Sequence, residues 1–252
     1  MSDGQELLKK RFLELARKSY NSGIFTFTDF LGLAEQSAFS EIKREISGIP
    51  YTAFGGAEGA ERVMIRFGSE EELGYELPFP IRTVKAEPAS QRFADKLTHR
   101  DFLGAILNLG IERKCVGDIV IKDNVGYIFA REDIAEFIAS ELTRAKHTEL
   151  RTSITDELPK GELYRTETRH IQANGERLDA IVAKVFSLSR EDAQRLFLKG
   201  LVFVSGRCVE NTSYIPKQGE IISVRGLGRM IYRGCDSLTK KGKMNISLEV
   251  YL

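Results

Sequence analysis

The sequence predicts an α+β protein of three small domains, residues 1–74, 75–160 and 161–252. Three observations carry that expectation. The chain has 252 residues, of which 42% are hydrophobic, enough for one large core or two to three small ones and too apolar for global disorder. In the middle third, strand, helix, hairpin and helix patterns follow one another, which is the order of a small α+β domain of about 80 residues. Finally, the acidic stretch Gly68–Pro80, punctuated by Gly74 and Pro78, marks one boundary, and a fresh strand pattern from about Gly161 marks the next.

The formal net charge of +1 hides an asymmetry. Residues 171–252 hold 13 Lys+Arg and 8 Asp+Glu, net +5, and the rest of the chain is net −4. A polyanionic partner would meet the C-terminal third. The longest charge-free run, Ile46 to Ala57, is 12 residues and contains Pro50, whereas a membrane helix needs roughly 20 apolar residues. The acidic start Ser2-Asp3-Gly4-Gln5-Glu6 is unlike a secretory signal, so a cytoplasmic protein without a membrane span is expected. Cys115, Cys208 and Cys235 are odd in number and widely separated, which predicts reduced structural thiols without a disulfide framework or zinc site. His99, His147 and His170 lack metal-ligand spacing, and for His99, beside a helix cap, a polar surface role is expected over catalysis. No cofactor is expected.

Leu8, Phe12 and Leu15 at helical spacing, with Lys9, Lys10, Arg11, Arg17 and Lys18 between them, predict an amphipathic helix of about four turns. Its basic face could meet RNA or a membrane surface, but a solvated face is the commoner reading. Thr28 is the candidate N-cap of a second helix reaching toward Gly48. Tyr51–Phe54 and Arg62–Phe67 read as strands joined by Gly55-Gly56-Ala57-Glu58-Gly59, a glycine loop lacking the Gly-Lys-Ser/Thr ending of a phosphate loop. Ile81–Ala86 begins the central domain as a strand. Thr98 and Asp101 then form an acidic capping box for a helix carrying Phe102, Leu103, Ile106 and Leu107 up to Gly110. Ile119–Ile121 and Tyr127–Phe129 flank the hairpin signal Asp123-Asn124-Val125-Gly126, and Ile134, Phe137, Ile138 and Leu142 define the next helix.

The third domain opens with a strand over Arg165–Ala173. Leu178, Ile181, Val182 and Val185 form one buried helix face flanked by Arg177 and Lys184 in solvent. Ser189 caps a second helix whose stripe is Ala193, Leu196 and Phe197, and Gly200 ends it. Arg190 and Gln194 lie one turn apart, as do Arg195 and Lys199, so the helix pair presents long cationic and amide side chains. Strands over Leu201–Val204, Ile221–Val224 and Asn245–Val250 complete a small mixed sheet, with Arg207 at the Ser205-Gly206 turn and Arg229 in the glycine loop Gly226-Leu227-Gly228-Arg229. Lys240, Lys241 and Lys243 fit solvated charge and partner contact equally.

The run Arg177-Leu178-Asp179, Ser189-Arg190, Ala193, Gly200, Val202, Val204, Gly206 and Val209, with Gly219-Glu220 before Ile222 and Val224, resembles the RNA-binding domain of ribosomal protein S-four. That domain recurs in tyrosyl-tRNA synthetases, pseudouridine synthases and a ribosome-binding heat-shock protein. The resemblance implies an RNA site at Arg177, Ser189, Arg190, Gln194, Lys199 and Arg207, to which the charge pattern adds Arg195 and Arg229. The whole chain also resembles the YlmH family of bacterial proteins. The marks are Phe54-Gly55-Gly56 with Glu58 and Ala60-Glu61-Arg62, then Thr98-His99-Arg100-Asp101-Phe102-Leu103-Gly104, Leu109-Gly110-Ile111 and Gly117-Asp118-Ile119. This implies an N-terminal α+β module, a central RNA-binding module and the S-four-like domain. Its implied partners are ribosomal RNA and the large subunit carrying peptidyl-tRNA, with tRNA itself and cell-division proteins as further ones.

Two rival readings differ in class. Arg177-Leu178-Asp179 also resembles the catalytic Arg-Leu-Asp of pseudouridine synthases, yet here it continues into Ala180-Ile181-Val182-Ala183-Lys184 within a helix, and too few residues follow for a catalytic domain. Methyltransferase and aminoacyl-tRNA synthetase motifs are missing. A protein-only division scaffold is the other rival, separable by RNA crosslinking. The expectation is a non-catalytic RNA-binding protein.

Overall fold

A computed structural model describes residues 3–159, 163–239 and 242–251; the boundary residue Gly161 and the loop lysines Lys240 and Lys241 lie outside them. The chain separates into two compact units, residues 1–35 with 41–163, and 36–40 with 164–252.

The first unit holds two sheets. Helix α1 (Asp3–Ser22) buries Phe12, Leu15, Ala16 and Ser19 at i, i+3, i+4 and i+7, as its amphipathic pattern predicts, and runs longer than the expected four turns. Lys9 on its basic side pairs with Glu41 at 2.7 Å, so part of that face serves the fold. Thr28 does not cap a helix. Strand β1 (Thr26–Phe27) precedes it, and its hydroxyl accepts from the Ile65 amide while donating to the Asp29 carbonyl, because the chain stays extended to the Leu31–Val63 bridge. Helix α2 (Leu33–Ile42) therefore starts later, at Gly32, without a side-chain cap. Strands β2 (Tyr51–Phe54) and β3 (Met64–Phe67) pair antiparallel in the order β1-β3-β2, and the short helix α3 (Glu70–Leu73) follows.

The second sheet comprises β4 (Ile81–Pro88), β5 (Val116–Lys122), β6 (Val125–Arg131), β7 (Arg144–Ala145) and β8 (Thr148–Thr155) in the antiparallel order β5-β6-β4-β8-β7. Helices α4 (His99–Asn108) and α5 (Glu132–Glu141) share one core with it through Phe102, Ile106, Ala135 and Ile138. The capping box is present: the Thr98 amide donates to the Asp101 carboxylate at 2.8 Å. The expected hairpin is present, but its turn is tighter than the four-residue signal: Asp123 and Asn124, at φ +52° and +64°, make a two-residue turn, and Val125 and Gly126 already belong to β6.

The two sheets interlock. Asp118 accepts from the amides of Glu61 (2.7 Å) and Arg62 (3.1 Å). The Arg62 guanidinium donates back to the carbonyls of Val116 (3.0 Å), Phe30 (2.9 Å) and Arg113 (3.2 Å). Gly56, at φ +96°, lies so close to Phe129 that a Cβ there would fall 2.4 Å from its ring, which only glycine allows.

The second unit is a six-stranded sheet under two helices. Its elements are β9 (Thr166–Ala173), α6 (Leu178–Val185), α7 (Arg190–Leu198), β10 (Val202–Val204), β11 (Arg207–Cys208), β12 (Ile221–Val224), β13 (Gly228–Leu238) and β14 (Met244–Tyr251). The sheet order is β11-β10-β12-β13-β14-β9. Every pairing is antiparallel, where a mixed sheet was expected, because tight turns such as Ser205-Gly206 reverse the chain between neighbours. Leu178, Ile181, Val182, Ala193 and Phe197 fill the core against Met230, Ile246 and Leu248.

Among the described residues no helix is long and apolar enough to cross a membrane, and no group of three or more His, Cys, Asp or Glu could hold a metal ion. All three cysteines are free thiols; Cys115 is buried and Cys208 half-buried, and burial raises both, whereas Cys235 is exposed.

Candidate nucleic-acid interface

The end of β9, one side of α6 and the first turn of α7 enclose an open groove of about 380 Å³ in the second unit. Arg177 and Lys184 fall at i and i+7 on α6, with the small side chains of Ala180 and Ala183 between them, while Arg190 and Lys243 approach from α7 and from the turn before β14. Of the described residues lining it, those four are cationic and none is acidic. That makes a basic trough with a nearly flat floor, suited to a polyanion backbone.

Arg177 sits at the N-cap of α6, and its Nε and Nη2 donate to Asp179 Oδ1 and Oδ2 at 3.1 and 2.9 Å. The Asp179 side chain is fully buried. Burial alone would raise its carboxyl, but Arg177, the Gln194 amide and the Ala180 N–H together outweigh burial and hold it below the usual range. Gln194 thus points inward at Asp179 (3.5 Å), bracing the floor. Because folding lowers this pKa, the pair's contribution is complete above the unfolded value near 4 and fades as pH falls further. Asp179→Asn is expected to cost about 1–2 kcal/mol at pH 7, discounted for the partly exposed Arg177, in urea unfolding followed by circular dichroism. The gap from the parent should narrow below about pH 4; an equal gap at pH 3 would mean the charge is not what stabilises.

The remaining predicted residues divide. Ser189 is the helix cap it was expected to be, accepting from the Asp192 amide at 3.0 Å. Arg195 is held in its own helix by Glu191 at 2.6 Å and Asp192 at 3.6 Å. Lys199, at the C-cap of α7, is about two and a half turns from Arg190 and so faces away from it. Arg207 is exposed just past the Ser205-Gly206 turn. Arg229 is the second residue of β13, not part of a free loop; its guanidinium lies 4.1 Å from the Tyr251 ring centroid and 5.4 Å from that of Tyr164. The structure therefore brings Arg177 and Arg190 together and adds Lys184 and Lys243, which the sequence had left as solvent charge or open. The i, i+7 spacing from Arg177 was the available signal for Lys184.

Comparison with known proteins places these features. Residues 79–156 match the family model "Putative RNA-binding domain in YlmH", and residues 176–222 match the "S4 domain" model. The chain is 31% identical over 234 residues to "Ribosome-associated protein quality control protein P2" of Bacillus subtilis, covering 88% of this chain and 86% of that one. Among solved structures, "Cell division protein ylmH from Streptococcus pneumoniae" superposes with a TM-score of 0.48 at 18% identity, over 62% of this chain and 93% of the other. On the identity and coverage of the curated relative, together with the two domain matches, the chain belongs to the YlmH family and carries an S4 domain whose residues 176–222 include Arg177, Lys184 and Arg190 of the basic groove.

Proposed function

We propose that this protein is a non-catalytic RNA-binding protein that docks on ribosomal RNA of the large subunit while that subunit still carries peptidyl-tRNA. The observation that carries the reading is the trough of Arg177, Lys184, Arg190 and Lys243, with no carboxylate among the described residues lining it. Such a surface follows phosphates and the shape of folded RNA without reading bases. The family's ribosome-associated member supports the ribosome as the source of that RNA. Arg207 and Lys199 form secondary contacts in this reading, tRNA is a second ligand, and a link to cell division follows the name of the pneumococcal relative. The three-module division at 74/75 and 160/161 belongs to the same proposal.

An RNA-modifying activity at Asp179 is disfavoured by what the residue already does: it is fully buried and spends both carboxylate oxygens on Arg177 and Ala180. The decisive experiment is cosedimentation of the full-length protein with separated large and small subunits over a salt series, with crosslinks mapped to RNA. Binding confined to large subunits, with crosslinks in residues 164–252, is expected; equal binding to both subunits, or crosslinks to protein alone, would refute it.

A further inference from the structure

The first unit holds a cavity of about 760 Å³, within the range of roughly 300–1,000 Å³ that small-molecule sites occupy. Leu8, Arg11 and Phe12 of α1 line it, as does the segment from Phe27 to Leu31; Arg62 enters from the loop before β3 and Arg113 from the turn before β5. Two guanidiniums dominate its chemistry. Arg62 Nε and Arg113 Nη1 donate to the same oxygen, the Val116 carbonyl, so the two partly buried groups lie side by side. Burial, and then Arg62, push the Arg113 guanidinium down to about 10 against the pull of Asp118, Glu61 and Glu35. The positive charge at this point of the cavity is therefore incompletely compensated.

Donors remain on both groups. Arg62 spends Nε and Nη2 on carbonyls and Arg113 spends Nη1, whereas Arg62 Nη1 and Arg113 Nε and Nη2 make no hydrogen bond among the described residues. The lining carboxylates do not take them up. Asp29 pairs with Arg131 at 2.5 Å and Glu112 with Lys114 at 2.9 Å, and Glu35 has no ion pair among the described residues. A phosphate monoester brings about −1.5 to −2 charges and three acceptor oxygens at pH 7, a closer match to two adjacent guanidiniums than one carboxylate is. Elsewhere the wall changes character: Leu8, Phe27 and Pro80 are half-buried and apolar, and Glu35 adds an acceptor for hydroxyls. A charged end, an apolar body with an aromatic face and a hydroxyl-bearing middle describe a nucleotide.

We infer that this cavity binds a mononucleotide, with the phosphate on Arg62 and Arg113 and the base against Leu8, Phe27 and Pro80. It is a small-molecule site built from N-terminal and central residues of the first unit, and it stands or falls independently of the RNA reading of the S4 groove.

The test is isothermal titration calorimetry of the full chain carrying Lys184→Glu and Arg190→Glu, so that the groove cannot supply the anion site. The probes are the 5′-monophosphates of adenosine, guanosine, cytidine and uridine, each beside its nucleoside. At least one monophosphate should bind with a Kd below about 1 mM and at least about tenfold tighter than its nucleoside. In the same background Arg113→Gln should weaken that binding about tenfold, and Arg113→Lys by less, because it keeps the charge and loses the fork. Arg113 also holds the Val116 and Gly117 carbonyls. Where Arg113→Gln lowers the melting temperature, Arg11→Glu therefore decides: Arg11 is exposed on the cavity wall, and about threefold weakening is expected. No binding by any of the four monophosphates, equal affinity for monophosphate and nucleoside, or unchanged affinity in the deciding variant would overturn the inference and leave the groove assignment untouched.

Discussion

Replacing Arg62 by Ala is expected to lower the stability of the first unit by about 3 kcal/mol, the largest single-residue effect foreseen for this fold. The guanidinium is mostly buried, which depresses its pKa against the opposing pull of Glu35, Asp118 and Glu61. It supplies donors to three carbonyls, of Val116 at the start of β5, of Arg113 in the turn before it, and of Phe30 in the segment between β1 and α2. Without it three bonds are lost, at roughly 1 kcal/mol each, from a total domain stability of about 5–15 kcal/mol, although the Val116 carbonyl keeps its bond from Arg113 Nη1 and the Arg113 carbonyl its bond from the Val116 amide. The thermal midpoint of a unit this size should fall by about 6–12 °C. Arg62→Lys, which offers a point charge in place of a fork, should recover less than half of the loss. Calorimetry of the full chain measures both. A midpoint within about 2 °C of the parent in Arg62→Ala would show that the sheets hold together without its guanidinium.

The second large effect is on binding. Lys184→Glu with Arg190→Glu should weaken attachment to large ribosomal subunits by at least about tenfold, on the order of 1.4 kcal/mol, because two attractive contacts become repulsive. Among the described residues neither cation has an ion-pair partner, so neither loss disturbs the fold. If the groove neutralises about three phosphates, log K should fall with log salt at a slope of about −2 to −3, and the double variant should flatten it by nearly two. Lys10→Glu with Lys18→Glu on α1 is the control: both are exposed, and binding should hold within about twofold. Lys9 is unsuitable for that purpose because it anchors α1 to Glu41. Retained binding in the groove variant with loss in the α1 control would move the RNA site to the other unit.

Local chemistry made some of this legible in the sequence. The capping box at Thr98 and Asp101, the Asp123-Asn124 turn, the Ser189 cap and the Leu178-Ile181-Val182-Val185 face each depend on residues within a turn or two, and each is where its pattern put it. Two long strands escaped, along with the two-residue strands β1, β7 and β11. In β8 the outward positions Glu149, Arg151 and Ser153 are polar, and half of the inward ones are Thr152 and Thr148, so the alternation carries little apolar contrast. In β13, register shifts between Tyr232 and Gly234 and between Cys235 and Ser237 break the period of two on which strand recognition depends. The candidate site was legible as a domain pattern but not as geometry. Arg195, expected to face RNA, is exposed and within reach of Glu191 and Asp192; Arg229 was expected in a loop, but it lies in β13 beside two tyrosine rings; and Lys243 reaches the groove only through tertiary folding.

The sheet of the S4 unit has its first strand as neighbour of its last, with Thr166 of β9 opposite Tyr251 of β14. That adjacency sets an order of events. The two helices that build the groove form from contacts close in sequence, whereas the β9–β14 ladder must close almost the whole unit into one loop before any of its bonds can form. A newly made chain would thus hold its basic helices ready while β9 still waits for a partner, and the same closeness of ends makes the unit a natural candidate for circular permutation, with new termini opened at an exposed turn.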